Sequence, residues 1–199
     1  IVTTHDADGK AIVMSDGPAP QRIKRARGNV STLIWYADEM PVEIWSDEDY
    51  GQRIVQREPE PRGARICVID FLPGGPGMMH RTDTLDYVIC LSGEIDMDMD
   101  DGVEPGPGET SPPPGKPHDG TGEPPSPPIR RIVTTHDAAG KAVVQRDGVA
   151  TNHKWSGRGM VSTLIWSSDE CPAEMWTDED YGARRIGTQP PANGNRFTI

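Results

Sequence analysis

Residues 73–104 read PGGPGMMHRTDTLDYVICLSGEIDMDMDDGVE, and their pattern decides the fold class. Gly74, Gly75 and Gly77 with Pro73 and Pro76 form a chain-breaking cluster. Thr84 to Leu91 is rich in β-branched and apolar residues and predicts a strand. Ser92-Gly93 predicts a short hairpin turn. From Glu94 to Asp100 the chain alternates, with Ile95, Met97 and Met99 on one side and Asp96, Asp98 and Asp100 on the other, the period-two pattern of a half-buried strand. A hairpin cannot bury its apolar face alone, so the rest of the chain must supply a second sheet.

This stretch resembles the first motif of the cupin superfamily: glycine, a spacer, His-x-His, a carboxylate and a closing glycine. The matching residues are Gly74 or Gly75, His80, Thr82 at the second histidine position, Asp86 at the glutamate position, and Gly93. The wording from His80 to Gly102, with an opening phrase similar to IVTTHDADGKAIVMSDGPAP, extends the resemblance over roughly residues 1–104. It implies an all-β fold, a double-stranded β-helix (jelly roll, cupin barrel), left incomplete here. The cupin second motif has one partial match, Pro113-Pro114-Gly115-Lys116-Pro117-His118. It keeps the Pro-x-Gly-x-x-His spacing, lacks the following asparagine, and lies among residues that do not form strands.

Outward from this stretch, the composition bounds the partners. Twenty basic and 31 acidic residues give a net charge of −11. Phosphate neutralisation needs clustered Lys and Arg, so nucleic acid is excluded as the expected partner and an anionic membrane surface is disfavoured. The basic run Arg22 to Arg27 reads as a solvated loop or an edge strand. Cys67, Cys90 and Cys171 are odd in number and widely spaced, which predicts a reduced, cytoplasmic chain without a disulfide framework. Cys67 and Cys90 sit in apolar runs and read as small core side chains. No apolar run approaches the length of a membrane span, and the N-terminus has no signal-peptide character.

Before the central stretch, residues 1–13 predict a hairpin around Asp6-Ala7-Asp8-Gly9. Val30 to Trp35 and Arg65 to Leu72 predict strands. After it, residues 105–128 hold ten prolines and five glycines among 24 residues, a linker by composition. Then the sequence starts again. Residues 132–199 align with residues 1–68 at a constant offset of 131 without gaps, with 36 of 68 positions identical. This predicts a duplicated unit rather than a solenoid. The expected organisation is a cupin-like unit over 1–104, a linker over 105–128, and a partial copy over 129–199 that supplies leading strands only. Those strands are expected to cover the open edge of the first unit. A disturbance of a tandem ancestor after Glu104 would explain the truncated pattern.

On the resemblance, His80, Asp86 and His118 are the candidate metal ligands for Fe, Mn, Ni, Cu or Zn, Asp86 also the candidate catalytic carboxylate, and Met78, Thr82 and Tyr87 the candidate substrate contacts. Thr82 cannot replace an imidazole as a strong ligand. The competing reading has His80 hydrogen-bonded inside a cavity. Asp96, Asp98 and Asp100 lack the glycine and glutamate positions of a calcium loop and read as a solvated sheet face. His5 and His136, each beside an aspartate before a turn, read as structural capping. No Gly-x-Ser-x-Gly elbow, dinucleotide loop or P-loop is present. The expected function is that of a cupin-type protein binding a small organic molecule, as a metal-dependent oxygenase, decarboxylase or isomerase, or as a non-catalytic binding or assembly module. Cupins commonly dimerise by exchanging N-terminal strands, so the resemblance implies a homodimer.

Overall fold

A computed structural model of the chain describes residues 1–55, 58–75, 77–100, 102, 127–156, 160–187 and 189–199. Residues 105–126 of the predicted linker, His118 among them, lie outside these residues. The architecture is all-β, with one short 3₁₀ turn at Tyr50–Gln52 as the helical element among the described residues. No described helix is long and apolar enough to cross a membrane. The chain divides into two compact units, Ile1–His80 and Arg81–Ile199.

In the first unit, β1 (Val2–His5) and β2 (Ala11–Ser15) form the hairpin expected around Asp6 to Gly9. Asp6 makes this turn: its Oδ1 accepts from the backbone N–H groups of Asp8 (3.0 Å) and Lys10 (2.9 Å), an Asx-type turn. A three-stranded antiparallel sheet follows, in the order β3 (Arg22–Lys24), β4 (Val30–Ala37), β5 (Ala64–Asp70). The basic run therefore supplies a short, fully exposed edge strand, where charge discourages further pairing. The core is small: Leu33, Tyr36, Ala37 and Tyr50 are its buried apolar side chains.

In the second unit, β6 (Arg130–His136) pairs with β7 (Ala142–Val149). β8 (His153–Ser156), β9 (Met160–Ser168) and β10 (Asn195–Thr198) form a three-stranded sheet in the order β10-β9-β8. Asp137 makes the β6–β7 turn as Asp6 does the first, accepting from Ala139 and Lys141. Leu164, Tyr181, Val133 and Ala150 are buried, together with Thr163, Ser167 and Ser168.

Residues 84–91 and 94–100 are not strands, contrary to the expectation from their composition and alternation. Val88 and Leu91 are 69% and 73% exposed, and neither Ile95 nor Met97 is buried. Period-two alternation states which side chains would share a face; it does not provide a partner ladder. The segment instead attaches to its unit through side chains. Asp100 accepts a hydrogen bond from the Ala142 N–H at 3.0 Å, and the Arg81 guanidinium lies 5.3 Å from the Trp176 ring centre. Cys90 is exposed, not a core residue, and the three cysteines are free thiols.

Candidate functional site

The sequence-predicted site residues fall on irregular chain. His80 is exposed, and its Nδ1 stands 2.9 Å from the Met78 carbonyl oxygen. Met78 is itself exposed. These two close the first unit. In the second unit Thr82 is half-buried and Asp86 exposed. Asp86 Oδ1 accepts from the Thr84 hydroxyl at 2.8 Å, a local contact between two side chains.

Tyr87 is the predicted residue with the most defined surroundings. Its ring packs on Phe197 with centres 5.0 Å apart, and its hydroxyl donates to Asn195 Oδ1 at 2.6 Å. Burial pushes its phenol above the usual tyrosine range. These contacts make Tyr87 an anchor of residues 81–100 onto β10. Tyr87→Phe is expected to lower stability by about 0.5–1.5 kcal/mol, the net worth of one hydrogen bond, as read by urea denaturation. An unchanged midpoint would remove the anchor role.

Two constellations that the residue spacing did not predict stand out, and each occurs at positions 131 apart. The first is an arginine latch. Arg53 meets Glu48 through Nε (2.6 Å) and Nη2 (2.8 Å), meets Asp38 through Nη1, and lies 3.9 Å over the Tyr50 ring. Arg184 meets Glu179 at 2.6 and 2.7 Å and Asp169 at 2.6 Å, and lies 3.5 Å over Tyr181. The bidentate arginine hydrogen bonds hold Glu48 and Glu179 below the ordinary carboxylate range. Each latched tyrosine in turn stacks on a tryptophan, Trp35 or Trp166, at 5.4 Å. His5 and His136 are not caps, since the neighbouring aspartates make the turns. Each packs instead on a largely exposed indole, Trp45 at 5.0 Å and Trp176 at 4.9 Å.

The second constellation is a cleft. In the first unit it is a shallow one, lined by Gln21, Ile23, Ser31, Leu33, Arg53 and Arg65, among others, with a cavity volume of about 20 Å³. In the second unit Asn152, Lys154, Ser162, Leu164, Arg184 and Arg196 line one that is closed up, with a cavity volume of about 0 Å³. These six pairs are counterparts at the offset of 131. Arg65 Nη2 lies 3.4 Å from Ser31 Oγ, and Arg196 Nη2 lies 3.5 Å from Ser162 Oγ. Leu33 and Leu164 are buried. The retained letters at these positions were the available signal, but a serine and an arginine 34 residues apart form no local motif.

Phomopsin biosynthesis cluster protein C' of Diaporthe leptostromiformis is 30% identical over 108 residues, 51% of this chain and 57% of its own. The cupin-domain-containing oxidoreductase virC of Hypocrea virens is 32% identical over 107 residues, 51% of this chain and 54% of its own. The cupin-domain-containing oxidoreductase fogC of Aspergillus ruber is 29% identical over 109 residues, 52% of each chain. These likenesses support a cupin-superfamily assignment. The chain spans about half the length of the curated relatives it matches. No family profile matches it, and no solved structure does.

The likeness to oxidoreductases makes a metal cofactor plausible for this chain, and its donor set bears on that. Among the described residues, no group of three or more His, Cys, Asp or Glu side chains comes together as a ligand set. The sequence offers His80 and Asp86, and at the second histidine position the Thr82 hydroxyl, a poor partner for a borderline transition metal. His118 lies outside the described residues. Among the described residues the donors do not complete a tight site, and no chemical step is derived through a metal.

Proposed function

We propose that the chain is a cupin-type small-molecule-binding protein, built from a unit and a partial copy of it. The observation that carries this reading is the likeness to cupin-domain proteins over a motif that keeps His80 and Asp86 but holds Thr82 at the second histidine position, a donor set that suits holding a small molecule better than holding a tight transition metal.

A second reading is favoured by the relatives named oxidoreductases. In that reading the cupin is a metal-dependent enzyme on a small organic substrate, with His80, Asp86 and His118 as metal ligands, Asp86 also moving a proton, and Met78, Thr82 and Tyr87 contacting substrate. The Thr82 substitution in the motif weighs toward the binding reading.

The test is a ligand-observed NMR screen of the intact chain against a mixed set of small organic acids, amines and neutral molecules. The binding reading expects hits displaced by one another. A screen without hits would overturn it.

A further inference from the structure

We propose that residues 94–100 of one copy of the chain pair with the open edge of β3 in a second copy, adding a strand to its three-stranded sheet. The contact is independent of what the chain binds. The two segments match in charge and in apolarity at the period of a strand. β3 reads Arg22-Ile23-Lys24, so its two cations share one face and its isoleucine takes the other. Asp96, Met97 and Asp98 repeat that order with the charge reversed. Laid side by side, the two aspartates meet Arg22 and Lys24, and Met97 meets Ile23. The pattern is symmetric, so either strand direction brings the same three pairs together. Opposite charges and apolar side chains placed across a ladder stabilise it.

Each segment is open to such a partner. β3 is an outer strand of its sheet. Gln21 O accepts from the Leu33 N–H, and the Arg25 N–H donates to Asn29 O. The odd-numbered residues therefore bond toward β4, and Lys24 turns its own N–H and C=O away from the sheet. All three β3 residues are exposed. Among the described residues the Lys24 ammonium has no partner. Arg22 has one, Asp70 at 3.4 Å, with both side chains more than half exposed, which leaves guanidinium N–H groups for a second carboxylate. Asp96 and Asp98 are exposed and without a partner among the described residues, and Met97 is 42% exposed. Residues 94–100 join no sheet, although Tyr87 and Asp100 hold the chain on either side of them. The charges that keep apolar or basic strands off this edge attract an acidic one. The counterpart edge strand β8 reads His-Lys-Trp-Ser and lacks the pattern. Exchange in both directions, each copy's residues 94–100 on the other's β3, closes a two-fold dimer.

Sedimentation velocity of the intact chain over a concentration series is the experiment. The sedimenting mass is expected to approach that of two chains as concentration rises. Salt at ~1 M, which shortens the Debye length to about 3 Å, is expected to weaken the association. Two charge-reversed proteins follow, one carrying Arg22→Glu with Lys24→Glu, the other Asp96→Lys with Asp98→Lys. All four positions are exposed, so the fold is expected to survive. Each protein alone is expected to self-associate at least about tenfold more weakly, since every cross-strand pair becomes a like-charge pair. Mixed in equal amounts they are expected to form a dimer, because each then meets opposite charges on the other. A wild-type chain that stays monomeric throughout, self-association that both reversals leave unchanged, or reversed proteins that do not associate when mixed would each overturn the proposal. Slowed amide exchange at Lys24 in a monomer would place residues 94–100 on the edge of their own chain and would overturn it as well.

Discussion

Replacing Arg131 with methionine is expected to destabilise the second unit by about 3 kcal/mol, at the lower end of the cost of breaking a buried ion pair. Arg131 Nη1 donates to Asp180 Oδ1 at 2.7 Å and Nη2 to Oδ2 at 2.5 Å. The two side chains are 12% and 14% exposed, so water cannot take over when one partner is removed. The same Nη1 also reaches the Ile165 carbonyl at 3.0 Å, tying β6 to β9. Asp180 additionally accepts from the Gly182 N–H at 3.0 Å and receives Arg146 at 3.4 Å. Without Arg131 a mostly buried carboxylate keeps one weak, exposed cation. The counterpart Asp49 caps Gly51 in the same way but takes the Gln52 amide rather than an arginine, so the effect belongs to the second unit.

The pH dependence gives this prediction a signature. The Arg131 hydrogen bonds, and then its charge, hold the Asp180 carboxyl below the ordinary carboxylate range. A carboxyl whose folded pKa is depressed adds stability that is fully present above its unfolded value, near ~3.9, and is lost as pH falls through the folded value. Arg131→Met should therefore remove stability at neutral pH and flatten the decline below about pH 4. Urea denaturation across the acid range measures both. A variant that keeps the acid decline would mean that Asp180 is not the responsible group.

Replacing Gly194 with alanine is expected to cost about 1–3 kcal/mol, the cost of overpacking a site that cannot yield, and to disturb the β9–β10 pairing. An added Cβ would collide with the Ser168 carbonyl oxygen and would lie 2.6 Å from the Ser168 carbonyl carbon. Both obstacles are backbone, at the point where Asn195 pairs with Ser168, so no side-chain rotation relieves them. The counterpart Gly63 meets the Ala37 carbonyl oxygen in the same manner, and Gly63→Ala should act similarly on the first unit. Thermal unfolding monitored by tryptophan fluorescence reports both variants. A wild-type melting temperature in Gly194→Ala would show that the β9–β10 junction is looser than described.

Much of the strand framework was legible in residue type. The β-branched runs at Val30–Trp35 and Arg65–Leu72 became β4 and β5, and Asp6 to Gly9 gave its hairpin because an aspartate able to accept two N–H groups precedes the turn. Residues 84–100 misled because alternation encodes facing and not pairing, and the side chains of Tyr87 and Asp100 found Asn195 and Ala142 instead of a ladder. The candidate metal ligands were read from a motif whose second histidine is Thr82, and one motif position cannot reveal what its neighbours do. The arginine latch left a trace in the phrase DEDYG, present twice, but Arg53 reaches back 15 residues to Asp38. The clefts were further from view. Ser31 and Arg65 meet only because β4 and β5 pair antiparallel, and their significance emerges from the match with Ser162 and Arg196.

Elemental mass spectrometry of the purified chain, with His80→Ala alongside, tests most directly whether this chain is a binding protein or a metalloenzyme. The donor set around His80 and Asp86 predicts transition metal well below one ion per chain, with no difference between the two proteins. A content of about one ion per chain, lost in His80→Ala, would contradict the account and establish the metal-dependent reading.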